Sequence, residues 1–215
     1  MRVVKIDKET TENILSDLLK RSPNQYDSYA DSVQEILNAV KERGDEALFD
    51  YTEKFDGCRL TPETIQVTEA EIAAAYEKVD ASLVEVIRKS LVNIREYHEK
   101  QRQYSCFDSR PDGTILGQKV TALASVGVYV PGGKAAYPSS VLMNIVPAKV
   151  AGVEKIVMVT PPDKNGEVTP ATLVAAHEAG ATHVYKVGGA QAIGALAYGT
   201  QSIAKVDKIV GPGNI

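Results

Sequence analysis

Three times between residues 126 and 210 the chain runs through a short apolar strand-like stretch, a glycine- or proline-rich turn and a helical stretch. It then begins the pattern a fourth time. The strand-like stretches are VGVYV (126–130), KIVMVT (155–160), THVYKV (182–187) and DKIV (207–210). Their starts recur every ~25–30 residues, the size of one βαβ unit, so a parallel sheet with right-handed crossovers is expected. From Thr121 to Thr160 the charged residues are Lys134, Lys149, Glu154 and Lys155 alone, the composition of strands buried on both faces. The intervening helices are expected from about Ser140 to Ala151, ended by Gly152. A second should be capped by Thr169, with Pro170 at its first position and Gly180 past its end, and a third should run from GGAQ (188–191) to Gly199. The fourth unit reaches only its loop, GPGN (211–214), with no helix to cover it before Ile215. An interrupted chain is therefore expected.

The first half reads differently. Ile14, Leu15, Leu18 and Leu19 mark a short helix, and Val33, Ile36, Leu37 and Val40 recur at helical spacing up to Gly44. Ala47, Leu48, Tyr51 and Phe55 continue helically to Asp56-Gly57. A brief strand, TIQVT (64–68), leads into the capping box Thr68-x-x-Glu71. Asp80 can cap a further helix along Leu83, Ile87, Leu91, Ile94 and Tyr97. Residues 104–120 read as a hairpin around Pro111-Asp112-Gly113. The organisation expected is a mostly helical region over 1–120, with its hairpin at 104–120, and a βα repeat over 121–215.

Composition narrows the function classes. A net charge of −4 leaves no basic footprint, against a nucleic-acid partner. No apolar run approaches the ~18 residues of a membrane span, and MRVVKIDKETTE is too charged for a signal peptide. Cys58 and Cys106 lie far apart without metal-like spacing, so a reducing cytoplasm is expected and each reads as an inert thiol. His98, His177 and His183 have neither H-x-x-x-H nor H-x-x-E spacing, and no metal set can be assembled.

In an open α/β sheet ligands bind outside the carboxyl ends of the strands. Those ends carry Pro131-Gly132-Gly133, Pro161-Pro162, Gly188-Gly189-Ala190-Gln191 and Gly211-Pro212-Gly213-Asn214. Glycines let backbone N–H groups approach a phosphate and helix N-termini add partial positive charge, so the edge suits a nucleotide crevice, although tight turns alone would also explain it. Tyr129 alternates within its strand, as a core residue or as a hydroxyl meeting a ligand. Gln191 reads as an exposed polar residue or as a donor–acceptor in the crevice, and Asn214 as a turn former or a contact. Ser139 and Ser140 are expected to cap their helix, and Lys134 either steadies a phosphate or faces solvent.

The stretch GVYVPGGKAAYPSSVLMNIVPAKVAGV, then YKVGGAQAIGALAYGT and KVDKIVGPGN, closely resembles histidinol dehydrogenase. LGQKVTALASVGVYVPGG and, in the helical half, RGDEALFDYTEKFDG extend the match over nearly the whole chain. The resemblance implies an α/β fold like that of aldehyde dehydrogenases: a helical N-terminal layer, then an incomplete Rossmann-like parallel sheet without the G-x-G-x-x-G fingerprint. It implies an NAD- and zinc-dependent enzyme, a homodimer, that oxidises L-histidinol to L-histidine through the aldehyde. Carried over by motif, the NAD contacts fall on Tyr129 of VYVPGG, Gln191 of GGAQAI and Asn214 of GPGN. The zinc ligands and the catalytic glutamate–histidine pair of that family lie in the part of its chain not matched here, so the 215 residues are expected to be inactive alone. The alternative is a stand-alone, non-catalytic α/β module binding a small anionic ligand or a protein partner.

Overall fold

The computed structural model describes residues 7–8, 10–11, 27–133 and 137–213. The helix expected around Ile14–Leu19 lies outside them. The chain divides into two compact units, Met1–Glu35 and Ile36–Ile215. In the first, the Asp7 carboxylate accepts from the Thr10 N–H at 2.8 Å and from its hydroxyl at 2.7 Å. Helix α1 (Asp27–Arg43) begins there and ends in the second unit.

The second unit contains helices α2 (Asp45–Asp56), α3 (Glu69–Lys78) and α4 (Ala81–Glu99), then a hairpin of β1 (Cys106–Ser109) and β2 (Ile115–Gln118). The repeat follows as β3 (Ser125–Tyr129), α5 (Pro138–Val150), β4 (Lys155–Thr160), α6 (Pro170–Ala179), β5 (His183–Lys186), α7 (Gly189–Tyr198) and β6 (Lys208–Val210). Among the described residues, no helix is long and apolar enough to cross a membrane.

Local chemistry sets many of these boundaries. Thr68 accepts from the Glu71 N–H at 3.2 Å while the Glu71 carboxylate accepts from the Thr68 N–H at 2.8 Å, completing the capping box of α3. Asp80 takes the Ser82 N–H at 2.7 Å and starts α4. Helix α5 departs from expectation, because it begins at Pro138 with Tyr137 as N-cap. Proline lacks the N–H that a first-turn position leaves unpaired and has its φ already set, so it takes the first position. Ser139 and Ser140 thus lie inside the first turn and cap nothing. Thr169 does stand at the N-cap of α6, but its side chain makes no capping bond.

The four repeat strands form one parallel sheet in the order β5-β4-β3-β6. Side chains alternate across it, so each strand feeds two cores. Val126, Val128, Val130, Ile156 and Met158 join Leu142, Ile145 and Val174 of α5 and α6 on one face. Val157, Val159, Tyr185 and Val187 join Leu48 of α2 and Ala192, Ala195 and Leu196 of α7 on the other. Outside the first layer α4 packs on α5 and α3 on α6. The free edge of β5 is covered by the short TIQVT segment, which bridges antiparallel at Gln66 and Tyr185. Helix α7 sits so close to β3 that a methyl on Gly127 would stand 2.8 Å from Leu196 Cδ1. That fit fixes where the helix begins relative to the strand ends.

Candidate functional site

From β3 the chain moves to β4 and β5 on one side and then crosses back to β6 on the other. The order therefore reverses between β3 and β6, where an open sheet leaves a crevice outside its carboxyl ends. A cavity of about 290 Å³ opens there, lined by Tyr129, Gly189, Ala190, Ile193, Ile209, Val210, Gly211 and Gly213.

Each wall has a local cause. Tyr129 is the last residue of β3, half-buried, and its ring packs on the α7 face of the sheet. Its hydroxyl lies 3.4 Å from the Gly189 N–H, which donates to it. At that length the bond is weak, and the phenolic O–H remains available to donate elsewhere. Gly189 opens α7 with φ 63°, a left-handed conformation that glycine adopts without steric cost, and its N–H points at the Tyr129 hydroxyl on the crevice wall. Gly211 crosses so close to the Tyr129 carbonyl that a methyl there would collide with its oxygen. Ile193, one turn beyond Gly189, supplies an apolar wall; that i+4 spacing was its only signal in the sequence.

Gln191 is 1% exposed, and among the described residues neither its Oε1 nor its Nε2 has a hydrogen-bond partner. Its amide lies against Gly189, where a methyl would stand 2.5 Å from Oε1. A buried, unpaired amide at the first turn of a helix beside a crevice is costly, because both polar atoms have been taken from water without replacement. Tyr129 and Gln191 are thus brought to the same helix start. Asn214 and Lys134 lie outside the described residues.

A larger cavity of about 740 Å³ lies elsewhere, against His98 and Arg102, the 120–123 segment and the end of α5. It is flanked by the carboxyl ends of α4 and α5, whose dipoles disfavour an anion. The crevice at the switch point, with a helix N-terminus and Cβ-free backbone, suits a phosphate-bearing ligand better.

The remaining reactive side chains stand away from it. His98 and His177 are on α4 and α6, and His183 begins β5 at the end remote from the crevice. Cys58 is buried and burial pushes its thiol up, the condition of an inert cysteine. Lys186, buried at the end of β5, is held by Glu71 at 2.6 Å. Burial works against the Glu71 carboxylate, but hydrogen bonds from Lys186 and Thr68 outweigh it and keep the carboxyl below its usual range. Among the described residues no three His, Cys, Asp or Glu side chains gather as a metal site, so these residues do not fit zinc.

A parallel sheet covered on both faces, with a glycine-rich crevice at its switch point, defines an α/β protein of the doubly wound kind. The family profile described as histidinol dehydrogenase matches residues 19–215, and the chain belongs to that family. It is 56% identical over 184 residues to histidinol dehydrogenase of Geobacillus kaustophilus, covering 86% of this chain and 43% of the relative. It is 50% identical over 215 residues to that of Clostridium acetobutylicum, covering 100% of this chain and 49% of the relative. The crystal structure of histidinol dehydrogenase from Elizabethkingia anophelis superposes with a TM-score of 0.81 at 38% identity, over 86% of this chain and 42% of that one. The α/β fold expected from the sequence is the one observed. The chain spans about half the length of the curated relatives it matches.

Proposed function

We propose that this chain carries the NAD⁺-binding side of a zinc-dependent histidinol dehydrogenase, a cytoplasmic homodimer that oxidises L-histidinol to L-histidine through the aldehyde. The observation that carries the reading is the buried amide of Gln191, unpaired among the described residues, at the N-terminus of α7 with Tyr129 and the Cβ-free backbone of Gly189 and Gly211. Family membership and the relatives' names support the substrate.

NAD⁺, when bound, supplies the hydride acceptor. The residues of this chain bind and orient it. The N–H groups opening α7 face an anion, the Tyr129 hydroxyl donates to a ribose or phosphate oxygen, and Ile193 excludes water from the apolar side. A rotamer change of Gln191 toward the ligand offsets the cost of its unpaired amide, since one amide presents both a donor and an acceptor. Asn214 of GPGN, carried over by its motif, is a further proposed contact to NAD⁺. No histidine of the described residues reaches the crevice, so proton transfer and metal ligation require residues other than these, and the 215-residue chain does not turn over alone.

The test is direct. The complete gene product should form NADH when given L-histidinol and zinc, while residues 1–215 alone should not. Turnover by the short chain would sink the division of labour. A complete gene product that is itself 215 residues long and binds no NAD⁺ would favour a non-catalytic module binding a small anion or a protein.

A further inference from the structure

We infer that Pro161 is a positioning residue: its ring is a wedge between the Gly132-Gly133 and Gly188-Gly189 loops and sets the separation of those loops, the second of which reaches the crevice at Gly189. The inference rests on the nucleotide reading above and goes beyond it, because Pro161 does not line the crevice and follows β4, the strand between the two loops.

The two Gly-Gly pairs divide their work in the same way. Gly133 has φ 60° and Gly189 φ 63°, so the second glycine of each pair is required by conformation. The first glycine of each pair has no left-handed φ, and Gly188 sits at φ −121°, extended backbone open to other residues. What excludes a side chain there is Pro161. A methyl on Gly132 would stand 2.6 Å from Pro161 Cγ, and one on Gly188 would stand 2.5 Å from Pro161 Cβ. A methyl on Gly133, by contrast, would meet nothing within 4 Å among the described residues. Both loops therefore rest on one rigid ring, and a ring cannot swing aside as a flexible side chain would.

The neighbours hold the wedge in register. Val130 donates its N–H to the Val159 carbonyl at 2.9 Å, fixing the exit of β3 beside that of β4. Pro162 follows directly and confines residue 161 to extended conformations. Replacing Pro161 by alanine thus removes the ring while the backbone path stays constrained. The loop after β3 continues from Tyr129, and the loop after β5 leads into Gly189 and Gln191. A shift of the second loop therefore moves Gly189 and Gln191 relative to Tyr129, whose hydroxyl meets the Gly189 N–H.

The geometry makes an asymmetric prediction. Pro161→Ala removes Cγ and Cδ but keeps Cβ, so it should rescue most of the Gly132→Ala loss, leaving a 3.1 Å approach to the Pro161 carbonyl oxygen, and fail to rescue Gly188→Ala. Gly188→Ala should need Pro161→Gly. Gly133→Ala, strained by its φ alone, should gain nothing from either. These variants of the complete gene product would be compared by thermal unfolding, NAD⁺ titration and steady-state kinetics with L-histidinol. Pro161→Ala alone should raise the KM for NAD⁺ about tenfold with kcat within about twofold, the pattern of a displaced binding loop. Additive effects in the Gly132–Pro161 cycle, or an unchanged KM for Pro161→Ala, would overturn the wedge. Wild-type protein that takes up no NAD⁺ would overturn the nucleotide reading and the loops' task with it. That outcome is told from a failed wedge by the unfolding cycle, in which the Gly132–Pro161 coupling persists.

Discussion

Gln191 shows how a single residue can oppose stability. Its amide is buried with two polar atoms unpaired among the described residues, and an unsatisfied buried group costs about 1–3 kcal/mol. Gln191→Leu keeps similar bulk and removes both atoms, so it should stabilise the fold by about 1 kcal/mol while weakening NAD⁺ binding about tenfold. Chemical denaturation and NAD⁺ titration of the same variant would measure both. A Gln191→Leu variant that is less stable and binds NAD⁺ unchanged would mean that the amide belongs to the core. The sequence placed Gln191 at a helix start beside a Gly-Gly turn, because that follows from local composition. It left open whether the side chain was exposed, since burial depends on how closely α7 approaches β3, and that is set by Gly127 and Leu196 from distant parts of the chain. The ring of Pro161 was invisible for the same reason: a Pro-Pro pair after a strand reads only as a turn.

At the scale of elements, α3, α4 and α6 are tied by a polar cluster on the outer face of the sheet. The Tyr76 hydroxyl donates to Glu178 at 2.7 Å and lies 2.9 Å from His177 Nδ1, while Arg88 donates to Glu178 at 2.8 Å and pairs with Glu85 at 3.0 Å. Hydrogen bonding from Arg88 holds the Glu178 carboxyl below its ordinary 4.5. A lowered carboxyl contributes stability that is present above the unfolded value and lost as pH falls below it. Burial, then the Glu178 carboxylate, push the Tyr76 phenol from 10.0 up to about 12. A raised phenol contributes stability that is present below 10.0 and lost as pH rises toward about 12. The unfolding free energy should therefore contain an acid limb that Glu178→Gln flattens and an alkaline limb that Tyr76→Phe flattens. Tyr76→Phe should also cost about 1 kcal/mol at neutral pH. Unfolding titrations across both limbs would check this, and a Tyr76→Phe profile superimposable on wild type at high pH would remove the tyrosine from the account. None of these ties was legible in the sequence, where the Thr68 capping box and the Thr169-Pro170 start placed Tyr76 and Glu178 only on helices. The capping box of α3 was legible, because its two partners are three residues apart.

For the whole molecule, the repeat announced a parallel sheet but not its order. Two apolar cores on opposite faces, joined through the alternation of β3, β4 and β5, require helices on both sides, and the return of α7 to the far side of β3 creates the crevice. The hairpin stands outside that logic. Among the described residues its strands pair only with each other, with Phe107 opposite Gly117 and Ser109 opposite Ile115. Phe107 is 65% and Ile115 67% exposed, and both stand on one face of the ribbon because paired residues share a side. Exposed apolar side chains of that kind favour association in water, whereas they contribute little to the fold from which they project. Phe107→Ser combined with Ile115→Thr should therefore raise the concentration at which the 215-residue chain begins to scatter light. Its unfolding free energy should stay within about 0.5 kcal/mol of wild type. If the double variant scatters at the wild-type concentration, association is driven from another surface. If it unfolds much more easily, the hairpin is part of the core's support, and the two-core account of stability is incomplete.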